Sequence, residues 1–224
     1  MDSENTVRDN RLVRRKARTR AALIGAAQRM LAERNRVDAS VQQITDAADV
    51  GFGSFYNHFT SKAQLFEAAI AETLDQHAGL VQEATAAMDD PAEVFAASVR
   101  LTGRLRDSHP RMARILLHTG LPYLTREDGI TAHVMHDLAA AESAGRLRIG
   151  DPRVAVACVG GALLGLLQTL DSHPGLDARA ATHELAANLL RMFGLPDGEA
   201  RDVVARPLPA LPRPVTGTAV SAGG

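Results

Sequence analysis

The side chains best suited to binding another molecule lie in one short segment, residues 40–66, and they are small, polar or basic. Glycine permits close approach of the backbone, polar side chains and a phenol can donate hydrogen bonds, and a cationic group bonds phosphate. This combination suits a groove lined with phosphates. The residues concerned are Gly53, Ser54, Tyr56, Asn57, His58 and Lys62.

Two capping boxes mark where helices begin in this segment. In the pairs Ser40 with Gln43 and Ser61 with Gln64, the serine accepts from the amide three residues on and the glutamine reaches back. Apolar residues recur at helical spacing between the boxes, so each helix has one buried face. The pattern predicts two short helices, a turn marked by glycine and the start of a third helix. The apolar stripes are Val41, Ile44 and Ala48, and Phe52, Phe55 and Phe59.

A known family has this pattern of residues. Residues 44–50 read Ile-Thr-Asp-Ala-Ala-Asp-Val, residues 53–62 read Gly-Ser-Phe-Tyr-Asn-His-Phe-Thr-Ser-Lys, and Leu65 and Phe66 follow. The chain here resembles the N-terminal DNA-binding domain of TetR-type transcriptional regulators, over roughly residues 16–76. The resemblance implies an all-helical homodimer, more often a repressor than an activator, that binds a palindromic DNA operator. It also implies release from DNA when a small molecule enters the C-terminal domain.

The resemblance assigns roles to individual side chains. It implies phosphate contacts from Thr19, Tyr56, His58 and Lys62, and a major-groove position for Gln42, Gly53, Ser54 and Asn57. The side chain of Gln43 is shared with its capping box, which puts a DNA contact in doubt. Phe52 departs from the small or polar residue often found before that glycine. Core packing is the favoured role for Phe52, and contact with a thymine methyl group is the alternative.

The overall charge is close to neutral but unevenly placed. The 224 residues are 46% hydrophobic with a formal net charge of −1. Residues 1–62 carry a net +4 and residues 63–224 a net −5. Basic side chains before the first apolar helix suit counterion-releasing contacts with phosphate, and a plain charged tail is the alternative. The phosphate candidates there are Arg14, Arg15, Lys16 and Arg18.

Cysteine usage and hydropathy predict a cytoplasmic protein outside the membrane. The single cysteine, Cys158, excludes an internal disulfide framework, and the N-terminus has no apolar region of a signal peptide. The apolar run from Val154 to Leu167 is shorter than the roughly 20 residues of a membrane span. We therefore expect this run to be a buried helix.

Helical periodicity recurs along the chain and no alternating strand pattern occurs, which predicts an all-α fold of about nine helices. We expect a basic arm at 1–15, a helix-turn-helix DNA-binding domain at 16–76, an effector-binding and dimerisation domain at 77–194, and a proline-rich flexible tail at 195–224. The first helix should cover roughly 16–34, and a long fourth helix should run from Lys62 into the mid 80s. Later helix starts are marked by Asp90-Pro91, His109-Pro110, Thr125 with Asp128, Asp151-Pro152 and Asp177, and helix ends by Gly145 and Gly194.

The helix from Val154 to Leu170 is apolar on nearly every face and therefore needs cover on all sides. A four-helix dimer interface, built from this helix and the last one of each subunit, supplies it, as the family resemblance also implies. The alternative is a helix at the centre of a monomeric bundle. The candidate interface residues are Gly161, Gly165, Leu185, Leu189 and Met192.

An effector pocket is expected in the second domain, lined by apolar side chains with a few polar groups. We expect a hydrophobic effector, either fatty-acyl, steroid-like or aromatic, oriented by His118 and Tyr123. Plain core packing is the competing interpretation for each position. The candidates are Phe95, Val99, Met112, Leu116, His118, Tyr123, Met135, Leu163 and Leu167.

Catalytic and metal motifs are not found. His133 and His136 are three residues apart with Asp137 beside them, but solvent-exposed histidines are favoured over a metal site. No P-loop, Gly-x-Gly-x-x-Gly, Gly-x-Ser-x-Gly or His-Glu-x-x-His motif occurs, so we expect neither an enzyme nor a cofactor. The alternative function is a helical small-molecule-binding or interaction protein that does not act through operator DNA.

Overall fold

The computed structural model describes residues 2–33, 38–120, 122, 124 and 129–211, with the backbone alone for residues 2–11 and 129–130. The described residues confirm the all-α fold and form eleven helices, two more than the predicted nine. The additional ones are a single turn split from the end of the fifth helix and a helix in the expected tail. The helices are α1 (Asp2–Ala32), α2 (Val41–Ala47), α3 (Phe52–Phe55), α4 (Lys62–Thr85), α5 (Pro91–Gly103), α6 (Leu105–Ser108), α7 (Pro110–Thr119), α8 (Gly129–Ser143), α9 (Pro152–Ser172), α10 (Ala178–Met192) and α11 (Asp197–Ala205).

Most helix boundaries follow local capping chemistry. Asp90, Asp151 and Asp177 each accept a hydrogen bond from an amide in the first turn of the following helix, as predicted. Gly145 and Gly194 end α8 and α10 with φ angles of 68° and 91°, which a side chain disfavours. The predicted α8 start at Thr125 and Asp128 lies outside the described residues.

Helix α1 is longer than expected. It begins at Asp2 rather than near residue 16, so the basic arm at 1–15 is helical where its backbone is described. The segment contains good helix formers, including several arginines, and no glycine or proline interrupts it before Gly25. The expected boundary between arm and first helix is therefore wrong.

Two apolar cores hold the helices together. The first core joins α1–α4 and includes Leu105 with four residues of α7, so α7 packs against the helix-turn-helix region. Gln28 on α1 and Thr73 on α4 add a buried hydrogen bond of 3.2 Å within it. The second core joins α5, α8, α9, α10 and α11. Helix α4 crosses from one core to the other, because its second half also packs on α5 and α8.

The tail predicted to be flexible from residue 195 contains the helix α11 instead. Ala200, Val203 and Val204 recur at helical spacing and are buried in the second core. Pro196 stands at the N-cap, where a proline leaves the helix intact, and the remaining prolines follow its end. The prediction gave too much weight to proline composition. Residues 212–224 lie outside the described residues.

Ion pairs fix α11 against the loop before α5. Arg146 binds Asp90 at 3.0 Å and Glu199 at 2.5 Å, while Arg206 at the end of α11 binds Glu93 at 2.5 Å. The hydrogen bond from Arg146 is the main cause of a lowered pKa at Asp90, which burial partly opposes. Asp90 therefore caps α5 and anchors the C-terminal helix at once.

Helix α9 is less buried than expected for a central helix. By length and composition it is the one helix in the described ranges that is apolar enough to cross a membrane, yet only 28% of its most apolar window is buried in the protomer. Val154, Cys158 and Gly165 are exposed along one side of the helix. One face of α9 lacks cover within the protomer, which differs from the alternative of a helix at the centre of a monomeric bundle.

Candidate functional site

The helix-turn-helix is built from α2, α3 and the start of α4. The capping box at Ser40 is confirmed, with the Gln43 amide donating to Ser40 Oγ at 3.2 Å and the Ser40 amide donating to Gln43 Oε1 at 2.8 Å. The second box is half formed. Ser61 Oγ accepts from the Gln64 amide, but Gln64 Oε1 accepts from the Thr60 amide at 2.7 Å instead of the Ser61 amide.

The turn between α2 and α3 depends on Asp49 rather than on glycine. Asp49 adopts a left-handed φ of 53°, whereas Gly51 has an ordinary φ of −64°. The Asp49 amide donates to the Asp46 carbonyl at 3.1 Å and the Val50 amide to the Thr45 carbonyl at 3.0 Å. These two bonds form a Schellman motif, which ends α2 and redirects the chain into α3.

The predicted major-groove residues lie on one surface around α3. Gly53 and Asn57 are exposed and Ser54 is half-buried, and a Cβ at Gly53 would meet no neighbour within 4 Å. Gln42 is exposed on α2 and donates to Asp46 at 2.7 Å. Gln43 is exposed too, but its oxygen is occupied by the cap. We call this surface, with Tyr56, His58 and Lys62 beside it, the α3 surface.

The predicted core position of Phe52 is wrong. Its side chain is 47% exposed, while Phe55 is fully buried and Phe59 nearly so. Helix α3 is a single turn, so the i, i+3, i+7 spacing does not continue along one helical face. Phe52 contacts the edge of the Tyr56 ring instead, with the centroids 5.9 Å apart.

Basic side chains flank the α3 surface along α1. Arg14, Arg15, Lys16 and Arg18 are all exposed. Thr19, expected at a helix start, lies within α1, and its hydroxyl donates to the Arg15 carbonyl at 3.1 Å. Burial, followed by the nearby Lys16 and Arg20, lowers the His58 pKa, so its imidazole is neutral at physiological pH. The surface is cationic without any contribution from histidine.

A cavity of about 120 Å³ lies between α4, α5, α8 and α9. Most of the exposed wall surface is apolar, and polar atoms form a smaller part, as in small-molecule sites. The apolar lining is Ala78, Val81, Phe95, Val99, Val134, Val159 and Leu163, and the polar lining is His77, Gln82, Thr85, Ser98, Thr102, His133, His136 and Asp137.

His77 is the most deeply buried ionisable group in this wall. Its Nε2 lies 3.0 Å from Thr102 Oγ1, and its Nδ1 is buried without a hydrogen-bond partner. The Thr102 hydroxyl donates to the Ser98 carbonyl at 2.8 Å, so Nε2 of His77 is the protonated donor to Thr102. Nδ1 therefore carries a lone pair. Burial, followed by His109 and His133, lowers the His77 pKa to about 4, which keeps the ring neutral.

Asp137 lines the same cavity from α8. Burial raises the pKa of its carboxyl group, and His136, His133 and a hydrogen bond with Ser98 oppose this shift. The site thus combines a neutral acceptor, a carboxyl group and hydroxyl groups around an apolar centre. A group of three or more metal-ligating side chains is not present in the part of the chain that the structure describes.

Three of the nine predicted effector residues, Phe95, Val99 and Leu163, line this cavity together. Met135 packs beside the second core. Leu167 lines a separate cavity of about 260 Å³ near Arg106 and Arg114. Of the remaining positions, Met112, Leu116 and His118 lie elsewhere.

These remaining positions have other surroundings. Met112 and Leu116 belong to the first core. The exposed His118 donates from Nδ1 to the Leu31 carbonyl at 3.1 Å, so it connects α7 to α1 rather than orienting a ligand. Tyr123 lies outside the described residues. Sequence reasoning missed His77, although a histidine inside the apolar stripe of α4 was a usable signal.

The predicted interface residues divide between surface and core. Gly161 and Gly165 have open space where a Cβ would stand, and Met192 is 50% exposed. Leu185 is half-buried, whereas Leu189 is buried in the second core of its own chain. Four of the five candidates therefore retain accessible surface.

A helix-turn-helix joined by one helix to a domain with a mostly apolar cavity is the architecture of a DNA-binding regulator with its own small-molecule domain. Residues 23–69 match the family model of bacterial regulatory proteins of the tetR family, and residues 90–206 match the tetracyclin repressor-like C-terminal domain. The chain belongs to the TetR family of transcriptional regulators. Members combine an N-terminal helix-turn-helix domain with a C-terminal ligand-binding domain, bind DNA and small molecules as dimers, and are soluble proteins rather than enzymes.

Solved structures of this family share the fold. RolR in complex with resorcinol is 30% identical with a TM-score of 0.69, over 88% of this chain and 98% of RolR. SmeT, the repressor of the Stenotrophomonas maltophilia multidrug efflux pump SmeDEF, is 19% identical with a TM-score of 0.60, over 78% and 89%. FadR of Bacillus subtilis in complex with stearoyl-CoA is 18% identical with a TM-score of 0.60, over 76% and 97%. A search of curated proteins gives no match.

Proposed function

We propose that this chain is a repressor that binds a palindromic operator as a homodimer and leaves it when a small effector fills the cavity. The observation that carries the proposal is the course of α4. Its first residue, Lys62, follows the α3 surface, and its second half lines the cavity through His77, Val81 and Thr85. One continuous helix of 24 residues therefore contacts both sites.

The α3 surface supplies the proposed DNA contacts. Asn57 and Gln42 read base edges, Gly53 and Ser54 allow the backbone to approach the groove, and the flanking Tyr56, His58, Lys62, Thr19 and exposed residues of α1 bond phosphates. The Gln42 amide still has one hydrogen to donate, since a single bond to Asp46 uses the other. Gln43 contributes through its exposed carbon atoms, because its carbonyl oxygen caps α2.

Dimerisation follows from the small size of this surface. A recognition helix of one turn contacts few bases, so two copies on a palindrome are needed for affinity and specificity. The exposed side of α9, with open space at Gly161 and Gly165, and exposed Met192 on α10 supply a face that a second copy can cover. Leu185 extends this face, whereas Leu189 supports it from the core.

The cavity favours one of the three effector classes expected from the sequence. A cavity of roughly 150 Å³ holds a benzene ring, so a partly open space of about 120 Å³ suits a single ring better than a steroid or a long acyl chain. The lone pair on His77 Nδ1 and the carboxyl group of Asp137 suit hydroxyl groups on that ring. The resorcinol bound to RolR is a ligand of this kind and supports the assignment.

Release from DNA would proceed through α4. A ligand between α4 and α8 displaces the second half of α4, and the stiff helix carries this motion to the α3 surface. The separation of the two recognition helices then no longer matches half-sites about one helical turn apart. The differential affinity of the effector for the two arrangements sets how far the equilibrium moves.

The DNA part of the proposal is tested by operator selection followed by binding measurements over a range of salt concentrations. We expect enrichment of a palindrome, and log affinity that falls steeply with log salt because several phosphates are contacted. A slope near zero would contradict operator binding and support the alternative of a small-molecule-binding protein that does not use DNA.

The effector part is tested by releasing bound operator with single-ring phenols, resorcinol first, and with stearoyl-CoA. We expect release by a phenol and none by stearoyl-CoA. Val99→Phe fills the cavity, so this variant should bind operator normally but resist release. Leu117→Phe enlarges a side chain at the separate 260 Å³ cavity and is the matched control, which should respond like the original protein. Normal release from Val99→Phe would refute this effector site.

A further inference from the structure

Arg100 in the last turn of α5 and Arg104 at the C-cap of that helix lie on the side away from the effector cavity. Arg100 is 4% exposed; its Nη1 donates to the Arg206 carbonyl at 3.1 Å and its Nη2 to His183 Nε2 at 2.9 Å. Arg104, one turn later, donates from Nη2 to the same His183 nitrogen at 3.2 Å. The Nε atoms of both arginines are buried and have no hydrogen-bond partner.

The shared histidine is neutral. A guanidinium group carries donors alone, so Nε2 of His183 must accept both bonds and the ring proton must be on Nδ1. Burial lowers the pKa of His183, and Arg100, Arg104 and Arg179 lower it further. The imidazole therefore satisfies two donors without offsetting either positive charge.

Positive charge in this cluster exceeds the negative charge available to it. Arg179, one turn before His183 on α10, is near enough to lower the pKa of Arg100 and of Arg104. The nearby carboxylates have other partners: Asp177 caps α10, Glu93 binds Arg206 at 2.5 Å, and Asp107 pairs with Arg106 at 3.5 Å. Within the described residues, no carboxylate accepts a hydrogen bond from Arg100 or Arg104. We call Arg100, Arg104, Arg179 and His183 the arginine cluster.

Buried positive charge is costly unless an anion offsets it, and planar guanidinium groups match the geometry of oxyanions. We propose that the arginine cluster binds a small oxyanion, a phosphate or carboxylate group, between α5 and α10. The unpaired Nε atom of the deeply buried Arg100 is the inner donor, and the half-buried Arg104 and exposed Arg179 form the open side. This site is distinct from the effector cavity, which Phe95, Val99 and Thr102 line from the other side of α5.

The oxyanion can come from two sources. A free ion, such as inorganic phosphate or a small dicarboxylate, can enter from the open side. A carboxylate side chain of a second copy can fill the same place if α10 lies at the dimer interface. Both sources present the same chemistry to the arginine cluster. A free ion predicts saturable binding of added phosphate, whereas a partner carboxylate predicts that the cluster stabilises the dimer.

The test uses the full chain and inorganic phosphate as the probe. Calorimetric titration with phosphate, with sodium chloride at equal ionic strength as the control, should give saturable binding. Arg104→Gln removes a half-buried donor and should weaken phosphate binding at least about tenfold, because each charge-assisted bond contributes roughly 1.5–3 kcal/mol. Arg114→Gln, an arginine exposed on α7, is the matched control and should leave binding unchanged.

The second arm measures dimer dissociation by analytical ultracentrifugation. If a partner carboxylate fills the site, Arg104→Gln should weaken the dimer at least about tenfold by the same argument while Arg114→Gln does not, and phosphate should have no saturable effect. Either saturable phosphate binding or this selective loss of the dimer supports the oxyanion site. Arg179→Gln repeats both measurements at an exposed position that does not threaten folding. Equal behaviour of the original protein, Arg104→Gln and Arg179→Gln in both arms would overturn the proposal.

Discussion

The His77 side chain both bonds another residue of the protein and lines the cavity. It bonds Thr102, and its Nδ1 is buried without a hydrogen-bond partner. Because burial and the nearby His109 and His133 disfavour its charged form, the ring is neutral across the physiological pH range. A phenolic hydroxyl group can donate to such a nitrogen without any change of protonation.

The same burial predicts a pH dependence of stability. The folded-state pKa of His77 is about 4 and the ordinary value is 6.5, so the unfolded chain binds the proton more readily. The stability contribution is complete above pH 6.5 and is lost as the pH falls toward 4. Between pH 7 and pH 5 the loss should be about 2 kcal/mol.

Urea denaturation at these two pH values measures this loss. His77→Gln keeps an amide near Thr102 but has no titrating group. Between pH 7 and pH 5 its free energy of unfolding should therefore fall by about 2 kcal/mol less than that of the original protein. His173→Gln alters an exposed histidine after α9 and should behave like the original protein. The same pH dependence in His77→Gln and in the original protein would show that His77 does not titrate as described.

Asn57 and Tyr56 should affect DNA binding in different ways. Asn57→Ala removes the side chain proposed to read base edges, so it should change the preferred operator sequence. Tyr56→Phe removes only the hydroxyl group proposed to bond phosphate, so affinity should fall similarly for all sequences, by about 1 kcal/mol. Selection from random DNA followed by affinity measurements separates the two effects. An unchanged preference for Asn57→Ala would remove this residue from the reading surface.

At the scale of elements, the turn between α2 and α3 carries local strain. Asp49 adopts a left-handed conformation, which costs a residue with a side chain energy that glycine avoids. Asp49→Gly should raise the free energy of unfolding by about 0.5–1 kcal/mol, and Asp49→Val should lower it. Thermal denaturation measures both changes. Asp89→Gly, at an exposed position outside any helix, is a control without this gain.

The sequence could predict those parts of the fold that are determined by residues close together in the chain. Capping by Asp90, Asp151 and Asp177 and termination at Gly194 act within one turn, so these helix boundaries could be read from the residues alone. Helix α11 could not, because its stability comes from burial against the second core and from ion pairs with residues more than fifty positions away.

The candidate sites show the same division. The α3 surface lies within a continuous segment, and the structure keeps its predicted residues together. Phe52, predicted for the core, is exposed beside Tyr56, and the oxygen of the exposed Gln43 is occupied by its cap. The cavity is assembled from four helices, so its walls depend on packing that spacing does not encode. For that reason three of nine candidates fall at the cavity, while Met112 and Leu116 lie in the other core.

At the scale of the whole molecule, the exposed side of α9 should be covered by a second copy. Cys158 lies on this side and is the single cysteine of the chain, which makes it a direct probe of accessibility. We expect maleimide to label Cys158 at least about tenfold more slowly in the assembled dimer than in dissociated protomers, as expected for a side chain buried at an interface core.

Two glycine substitutions provide the comparison. Gly165→Arg places a charged side chain on the α9 face, so it should give folded monomers that label quickly. Gly175→Arg adds the same side chain in the loop after α9, where a Cβ also meets no neighbour, and should remain a slowly labelled dimer. Fast labelling of the original protein at concentrations where it is dimeric would place the interface elsewhere.

The packing of α7 within the first core limits how the molecule can be divided. Leu105, Met112, Ile115 and Leu116 complete the apolar surface of α1 and α4, although they lie some thirty residues beyond the helix-turn-helix region. A fragment ending at residue 76 would leave that surface open to water and would aggregate or unfold. A chimaeric regulator that joins this DNA-binding domain to a foreign sensor therefore needs α7 as well, and the exchangeable unit is discontinuous in the chain.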